Sequence, residues 1–130
     1  MNVTKLGHCC LLIKTKNLTI LTDPGAFTTG QNTLTGIDLI LITHEHADHL
    51  HAESLQAVLK NNPNAQVITN TGVGKVLDGL GIVYSVVEGR ATSTVHDVLI
   101  EAFDGKHGEL FEEFGQVQNT GYFIDNKLFY

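Results

Sequence analysis

The sequence predicts an α/β fold in which helices pack on a mixed sheet. Antiparallel hairpin patterns come first along the chain, and strand and helix patterns alternate after them, which is the order expected of a mixed sheet. Residues 37–43, IDLILIT, are almost wholly apolar, as in a strand buried on both faces. At 130 residues and 42% hydrophobic content, the chain is long enough to form a core of its own. We therefore predict a single domain over residues 1–130.

The strands before the first helix are predicted from apolar runs that turn residues separate. Lys16-Asn17 is one turn signal, and the Gly-, Thr- and Asn-rich residues 24–36 predict a loop. The strands predicted in this part of the chain are residues 3–7, 9–15, 18–22 and 37–43.

Two helices and several strands follow the apolar run. Residues 52–61 place leucine and valine on one helical face, and the helix ends before Pro63. Thr71 can cap a second short helix, which stops near Gly81. The remaining predicted strands are residues 66–69, 82–87, 98–103, 121–125 and 127–130, the last two joined by a turn at Asp125-Asn126.

Composition and charge argue against several classes of function. The formal net charge is -6 and the pI is near 5.5, without a basic stripe, so we expect no nucleic-acid partner. No apolar run reaches the roughly 18 residues that span a bilayer, and no signal peptide is recognisable, so we expect no membrane association. Cys9 and Cys10 are neighbours that point to opposite faces of a strand, and such free thiols indicate the cytoplasm.

Four of the seven histidines lie within residues 43–51, T-H-E-H-A-D-H-L-H, directly after the apolar strand. His44 and His46 are separated by one residue, so their rings lie on the same side of an extended segment. Neutral imidazoles hold zinc at about 2.0 to 2.1 Å, and Asp48 and His49 can serve a second ion nearby. These donors suit Zn²⁺, with Mn²⁺ or Fe²⁺ as alternatives. The other interpretation is a solvated polar loop, which the ordered spacing at a strand end disfavours.

Two further motifs are incomplete. The H-E-x-x-H motif of helical zinc sites would need a histidine at position 48, which is aspartate. The T-G-V-G-K-V stretch at 71–76 resembles a phosphate-binding loop, but the first glycine and the Ser or Thr after the lysine are missing. We interpret this stretch as the start of a helix.

The six residues H-E-H-A-D-H match the H-x-H-x-D-H motif of the metallo-β-lactamase superfamily. With the flanking K-L-G-H-C-C-L-L-I, I-L-T-D-P-G and I-D-L-I-L-I-T, the chain most resembles the UlaG-like branch, which includes ascorbate-6-phosphate lactonase. The resemblance implies a four-layer αβ/βα sandwich, of which this chain is similar to the N-terminal portion. It also implies a metal-dependent hydrolase in which metal-activated water attacks a lactone, an ester or a phosphoester of a small-molecule substrate.

The same resemblance implies a set of ligands. His44, His46 and a later histidine would hold the first metal ion, and Asp48 and His49 would belong to the second. Asp48 would also orient the attacking water or accept its proton.

The residues leave choices open at positions outside the motif. His107, in a loop after a buried strand, is favoured over His96 as the later histidine because functional residues concentrate in such loops. Asp23 matches the family's early aspartate and either orients the ligand loop or is a turn residue before Pro-Gly. His8 either approaches the same pocket or lies at a strand edge, and His51 is expected at the surface.

The family site also needs a bridging aspartate and a last histidine, and the sequence after His107 offers no counterpart of either. We therefore expect a chain whose C-terminal part is missing, with Asp48 and His49 alone at a weak second site. Either that missing half or a second copy of the chain in a homodimer would cover the exposed sheet face. A metal-binding module without catalytic activity is the alternative to a hydrolase.

Overall fold

A six-stranded mixed sheet forms the centre of the structure. The computed structural model describes residues 1–108 and 116–130. The first three strands pair antiparallel, and the third to the sixth run parallel. In spatial order these strands are β1 (Asn2–Gly7), β2 (Cys10–Lys14), β3 (Thr19–Thr22), β4 (Leu39–Leu41), β5 (Gln66–Thr69) and β6 (Ser85–Val86).

The helices cover one face of this sheet. A short 3₁₀ helix, Gly30–Thr33, lies within the predicted loop, and the two α-helices are α1 (Ala52–Asn61) and α2 (Thr71–Leu80). Asn70, and not Thr71 as predicted, caps α2, because its Oδ1 accepts the Val73 N–H at 3.0 Å. Among the described residues no helix is both long and apolar enough to cross a bilayer.

A second, antiparallel sheet covers the other face. Its strands are β7 (Thr92–Val95), β8 (Val98–Lys106), β9 (Gln118–Ile124) and β10 (Leu128–Phe129). Each strand pairs with the next one along the chain, so the spatial order is the order of the sequence. No predicted strand corresponds to β7, because T-S-T-V is short and has one apolar residue. The strand forms because His96 and Asp97, with φ of 45° and 66°, make a two-residue turn that pairs it with β8.

The apolar run that predicted a doubly buried strand divides its side chains between two cores. Leu39 and Leu41 pack between the two sheets, whereas Ile40 and Ile42 pack against the helices. The structure is therefore layered as helices, mixed sheet and second sheet. The predicted α/β class with a mixed sheet is confirmed.

The predicted strand 82–87 is mostly wrong, and the helix before it gives the reason. Gly81, with a left-handed φ of 66°, follows the last residue of α2 and caps the helix. The Ile82 N–H then bonds to the Leu77 carbonyl at 3.1 Å. This closing bond draws Ile82 into the helix end. Only Ser85–Val86 remains to pair with β5.

Candidate metal centre

Parallel strands and one hairpin bring the polar residues to a single edge of the mixed sheet. β3, β4 and β5 run parallel, so Asp23, Thr43 and Asn70, which follow them, meet at the carboxyl edge. β2 runs antiparallel to β3 and starts at this edge. The β1–β2 turn, His8-Cys9, therefore lies there as well.

A chain of hydrogen bonds ties the second sheet to this edge. The Thr43 carbonyl accepts the Thr120 N–H at 3.0 Å and the Asn70 side-chain amide at 2.8 Å. The Thr120 hydroxyl in turn donates to Asp104 at 2.8 Å, on β8. The start of the histidine loop is thereby fixed to both sheets.

Asp23 is the acceptor that organises the site. It is 1% exposed, and its Oδ1 accepts the Thr43 N–H at 2.8 Å. Its Oδ2 accepts the Thr43 hydroxyl at 2.8 Å and the His49 Nδ1–H at 2.6 Å. The Tyr130 hydroxyl lies 2.9 Å from the same oxygen. Asp23 thus holds both the start of the histidine loop and the His49 ring.

The turn after β3 also packs on the histidine loop. A Cβ at Gly25 would lie 1.8 Å from the Asp48 carbonyl oxygen, so only glycine allows this approach. The Ala26 N–H bonds to the Ala47 carbonyl at 2.8 Å. The D-P-G turn therefore serves to position the motif as well as to end β3.

His44, His46 and His107 come together although 61 residues separate the last two. Their ring centroids are 4.6 to 4.7 Å apart, and one ring nitrogen of each lies within 4.8 Å of the others. His107 is half-buried just beyond the end of β8, and its Nδ1 lies 2.8 Å from the Gly108 carbonyl. A proton held at Nδ1 leaves the His107 Nε2 with its lone pair.

His44 fits a divalent ion best of all the histidines. It is 1% exposed, and its buried Nε2 has no hydrogen-bond partner among the described residues. Its Nδ1 lies 3.0 Å from the Thr43 hydroxyl, which donates its own proton to Asp23. Nδ1 therefore carries the His44 proton, and Nε2 offers a lone pair. A buried acceptor that lacks a donor is the state in which a metal ligand would be found.

The electrostatics of His44 favour the same protonation state. Burial, followed by the neighbouring imidazoles His49, His46 and His107, lowers its pKa from 6.5 to about 3. The ring is therefore neutral at pH 7. Neutral imidazole is the form that binds metals.

A second group lies on the other side of His49. One donor atom each of His8, Cys9 and His49 lies within 4.8 Å of the others. The Asp48 Oδ2 accepts the His8 Nε2–H at 2.7 Å and lies 3.5 Å from the His49 Nε2. The structure thus places His8 beside Asp48 and His49, and adds Cys9, which the sequence did not single out.

The charges of this second group are coupled. Burial alone would raise the pKa of Asp48, but the hydrogen bond from His8 and the nearby His49 outweigh it and lower that pKa. Burial alone would likewise lower the pKa of His49, and the bond to Asp23 outweighs it and raises that pKa. Asp48 is therefore ionised at neutral pH.

The remaining candidates lie apart from both groups. His96 is exposed in the β7–β8 turn. His51 precedes α1 and is half-buried, with its Nδ1 3.0 Å from the Ser54 hydroxyl, and it belongs to neither group. The sequence also missed Thr43 and Asn70, although both follow apolar strands and that position was a usable signal.

Comparisons with known proteins identify the family. The profile of the beta-lactamase superfamily domain matches residues 2–129. The chain belongs to the beta-lactamase superfamily. This confirms the superfamily predicted from H-E-H-A-D-H, and the narrower UlaG-like branch stays a prediction.

Relatives of this superfamily domain are known from archaea and bacteria. A UPF0173 protein of Pyrococcus abyssi is 37% identical over 109 residues, which are 82% of this chain and 50% of that protein. A protein of Methanospirillum hungatei named UPF0173 metal-dependent hydrolase is 27% identical over 88% of this chain and 48% of its own length. A crystal structure from Parabacteroides distasonis superposes with a TM-score of 0.76 at 27% identity, covering 94% of this chain and 54% of that one. The chain spans about half the length of the relatives it matches.

Asp23→Asn is expected to weaken metal binding on the His49 side of this superfamily domain by about 10- to 100-fold. Asparagine keeps the shape of Asp23 but has a single acceptor oxygen, whereas both oxygens of the Asp23 carboxylate accept hydrogen bonds. A neutral amide also holds the His49 Nδ1–H less strongly than the carboxylate does, so the Nε2 of His49 becomes a less basic and less well oriented ligand. Competition with a coloured zinc chelator measures the affinity. Asp38→Asn is the matched control, because the Asp38 carboxylate also accepts a backbone N–H, that of Thr19 at 2.8 Å, at the opposite edge of the sheet. Equal losses of affinity in both variants would contradict the role of Asp23.

Proposed function

We propose that this domain carries the metal-binding part of a metal-dependent hydrolase, with the first metal ion held by His44, His46 and His107. The observation that supports this most is the buried Nε2 of His44, which has no partner among the described residues and lies in a group whose ring nitrogens converge within 4.8 Å. Three imidazoles leave a fourth position for water or substrate, as in catalytic zinc sites. Zn²⁺ is the proposed ion, with Fe²⁺ and Mn²⁺ as alternatives for these donors.

The chain's own residues supply the groups that a hydrolase needs around the ion. A bound divalent ion would polarise a carbonyl or phosphoryl oxygen and lower the pKa of water. Asp48, ionised at neutral pH, would accept a proton at its carboxylate, and the hydrogen bond from His8 holds it in place. A cleft of about 610 Å³ adjoins His8, Cys9 and His49 and extends to Lys5. We propose that it admits a small ester, lactone or phosphoester.

A metal-binding module without catalytic activity is the second candidate. The observation in its favour is that the three-histidine group is complete in itself, since its members are all supplied by the described residues. Such a module would hold the ion and hydrolyse none of the three substrate types. Ion binding and turnover are therefore measured separately.

His107→Ala is expected to lower the tightly held metal by about one ion per chain, because two imidazoles cannot retain the ion of the three-histidine group through dialysis. The measurement is metal per chain by elemental analysis. The protein is purified without added metal, then dialysed against buffer that contains Zn²⁺, and finally dialysed against metal-free buffer. His96→Ala removes an exposed imidazole and serves as the matched control.

Full retention of metal in the His107→Ala protein would contradict the proposed first site. The same zinc-loaded preparations are assayed with a lactone, a carboxylic ester and a phosphoester. Turnover that is lost in His107→Ala and kept in His96→Ala supports the hydrolase. Bound metal without turnover of any of the three supports the module.

A further inference from the structure

We propose a second metal site in which His8 and Cys9, from the β1–β2 turn, join Asp48 and His49 as ligands. The donor atoms of His8, Cys9 and His49 lie within 4.8 Å of one another, and the Asp48 carboxylate lies beside His8 and His49. This proposal rests on the proposed function, in which the family resemblance gives Asp48 and His49 to a second ion. The new element is the pair of ligands from the β1–β2 turn, an imidazole and a cysteine thiolate. It uses none of the three histidines that hold the first ion.

The distances suit a single ion between these side chains. Zinc bound tetrahedrally at about 2.3 Å from sulfur and about 2.0 to 2.2 Å from nitrogen or oxygen separates its ligand atoms by roughly 3.3 to 3.6 Å. The Cys9 Sγ lies 3.5 Å from the His49 Nε2, and the Asp48 Oδ2 lies 3.5 Å from the same nitrogen. Both pairs that include His49 therefore already have the spacing of two ligands on one ion.

The fourth donor needs only a small adjustment. The His8 Nε2 lies 2.7 Å from the Asp48 Oδ2, which is the distance of a hydrogen bond. An ion between these two atoms would replace the shared proton and move them apart by about 0.6 Å or more. His8 is exposed at the turn, so its side chain has room for this movement.

The His49 ring presents the correct nitrogen. Its Nδ1 donates to the buried Asp23 carboxylate at 2.6 Å, and Nε2 therefore faces Cys9 and Asp48 with a lone pair. Carboxylate–imidazole pairs of this kind orient metal-binding histidines in many sites.

The backbone of the β1–β2 turn positions the two new donors. His8 has a φ of 46°, in the left-handed region where glycine or asparagine would cost less conformational energy. Gly7 before it pairs with Cys10, so His8 and Cys9 are the two residues of a tight hairpin turn. The turn directs the Cys9 thiol toward His49, while Cys10 is 1% exposed in the core. The turn therefore places the His8 and Cys9 side chains at the same edge as His49.

The donor set determines the class of ion. One thiolate, two imidazoles and one carboxylate favour borderline ions such as Zn²⁺, Co²⁺ and Fe²⁺ over Mg²⁺ or Ca²⁺. On binding, the Cys9 S–H bond breaks, the metal–sulfur bond forms and one proton passes to the buffer.

Cobalt titration of the full chain, monitored by absorbance, tests the site directly. A cobalt–thiolate bond gives a charge-transfer band in the near ultraviolet, whereas cobalt held by histidine alone gives none. We expect this band in the wild-type protein and in Cys10→Ala, and its loss in Cys9→Ala. We also expect His8→Ala to lower the affinity for the ion that produces the band by at least tenfold. Cys10→Ala is the matched control, since it removes the neighbouring thiol that faces the core. Circular dichroism without metal checks that each variant is folded.

Three outcomes would overturn the proposal: a band that persists in Cys9→Ala, a band lost equally in the folded Cys10→Ala protein, or no band in the wild type. The first site is followed separately by the cobalt count in His107→Ala. A normal band with an unchanged count in that variant would refute the three-histidine site and leave the thiolate site standing. No band, together with a count that falls in His107→Ala, would refute the thiolate site alone.

Discussion

Replacing Asp23 by alanine is expected to destabilise the metal-free domain by about 3 to 5 kcal/mol, the cost of removing one partner from a buried charged pair. Asp23 is 1% exposed and accepts bonds from the Thr43 N–H, the Thr43 hydroxyl and the His49 ring. Alanine leaves the buried Thr43 donors and the half-buried His49 ring without their acceptor.

Urea unfolding followed by circular dichroism measures this loss. Asp78→Ala is the matched control, because the Asp78 carboxylate also accepts a hydroxyl proton, from Tyr84 at 3.0 Å, but does so at an exposed position. We expect the control to lose at most about 1 kcal/mol. Similar losses at the two positions would show that Asp23 is an ordinary turn residue.

His44→Leu is expected to abolish metal binding at the first site while leaving the metal-free protein about as stable as the wild type. Loss of an outer partner typically costs 10- to 100-fold in metal affinity, so loss of a direct ligand is expected to cost more than about 100-fold. In the metal-free protein, the buried Nε2 of His44 lacks a partner among the described residues, which costs about 1 to 3 kcal/mol. Leucine removes this cost and fills similar space, and it forfeits only the bond between the ring and the Thr43 hydroxyl.

The two halves of this prediction need separate measurements. Zinc affinity is measured by chelator competition, and stability by urea unfolding in the presence of a chelator. We expect the free energy of unfolding to change by no more than about 1 kcal/mol. His51→Leu makes the same change at a half-buried histidine that contacts Ser54, and it should retain metal. A His44→Leu protein that keeps wild-type affinity would refute the assignment of this ligand.

The local parts of the fold were predictable because their signals are local. Helix α1 and strand β5 have the predicted bounds, 52–61 and 66–69, since hydrophobic spacing and the proline after the helix determine them. Strand β7 was missed because it has four residues with a single apolar side chain, so it shows no hydrophobic pattern although Thr and Val favour strands, and its position depends on pairing with β8. Asn70 caps α2 in place of Thr71, a one-residue error typical of helix ends.

The residues of the candidate site likewise fall into those that local sequence predicted and those that only the fold brought together. The sequence alone determined the superfamily and the spacing of His44, His46, Asp48 and His49, because these residues are close together in one loop after one buried strand. It also favoured His107 over His96 from position, and the structure brings His107 to His44 and His46.

Only the tertiary structure decided which distant residues meet the histidine loop. Asp23 is 26 residues from His49, and Cys9 is 40 residues from it, so no short-range pattern connects them. Parallel pairing of β3 with β4 places Asp23 beside Thr43, and antiparallel pairing of β2 with β3 returns His8 and Cys9 to the same edge. Strand register is a long-range property, set by which faces are buried. The motif therefore supplied Asp48 and His49 to the second group, and the packing of the sheet added His8 and Cys9.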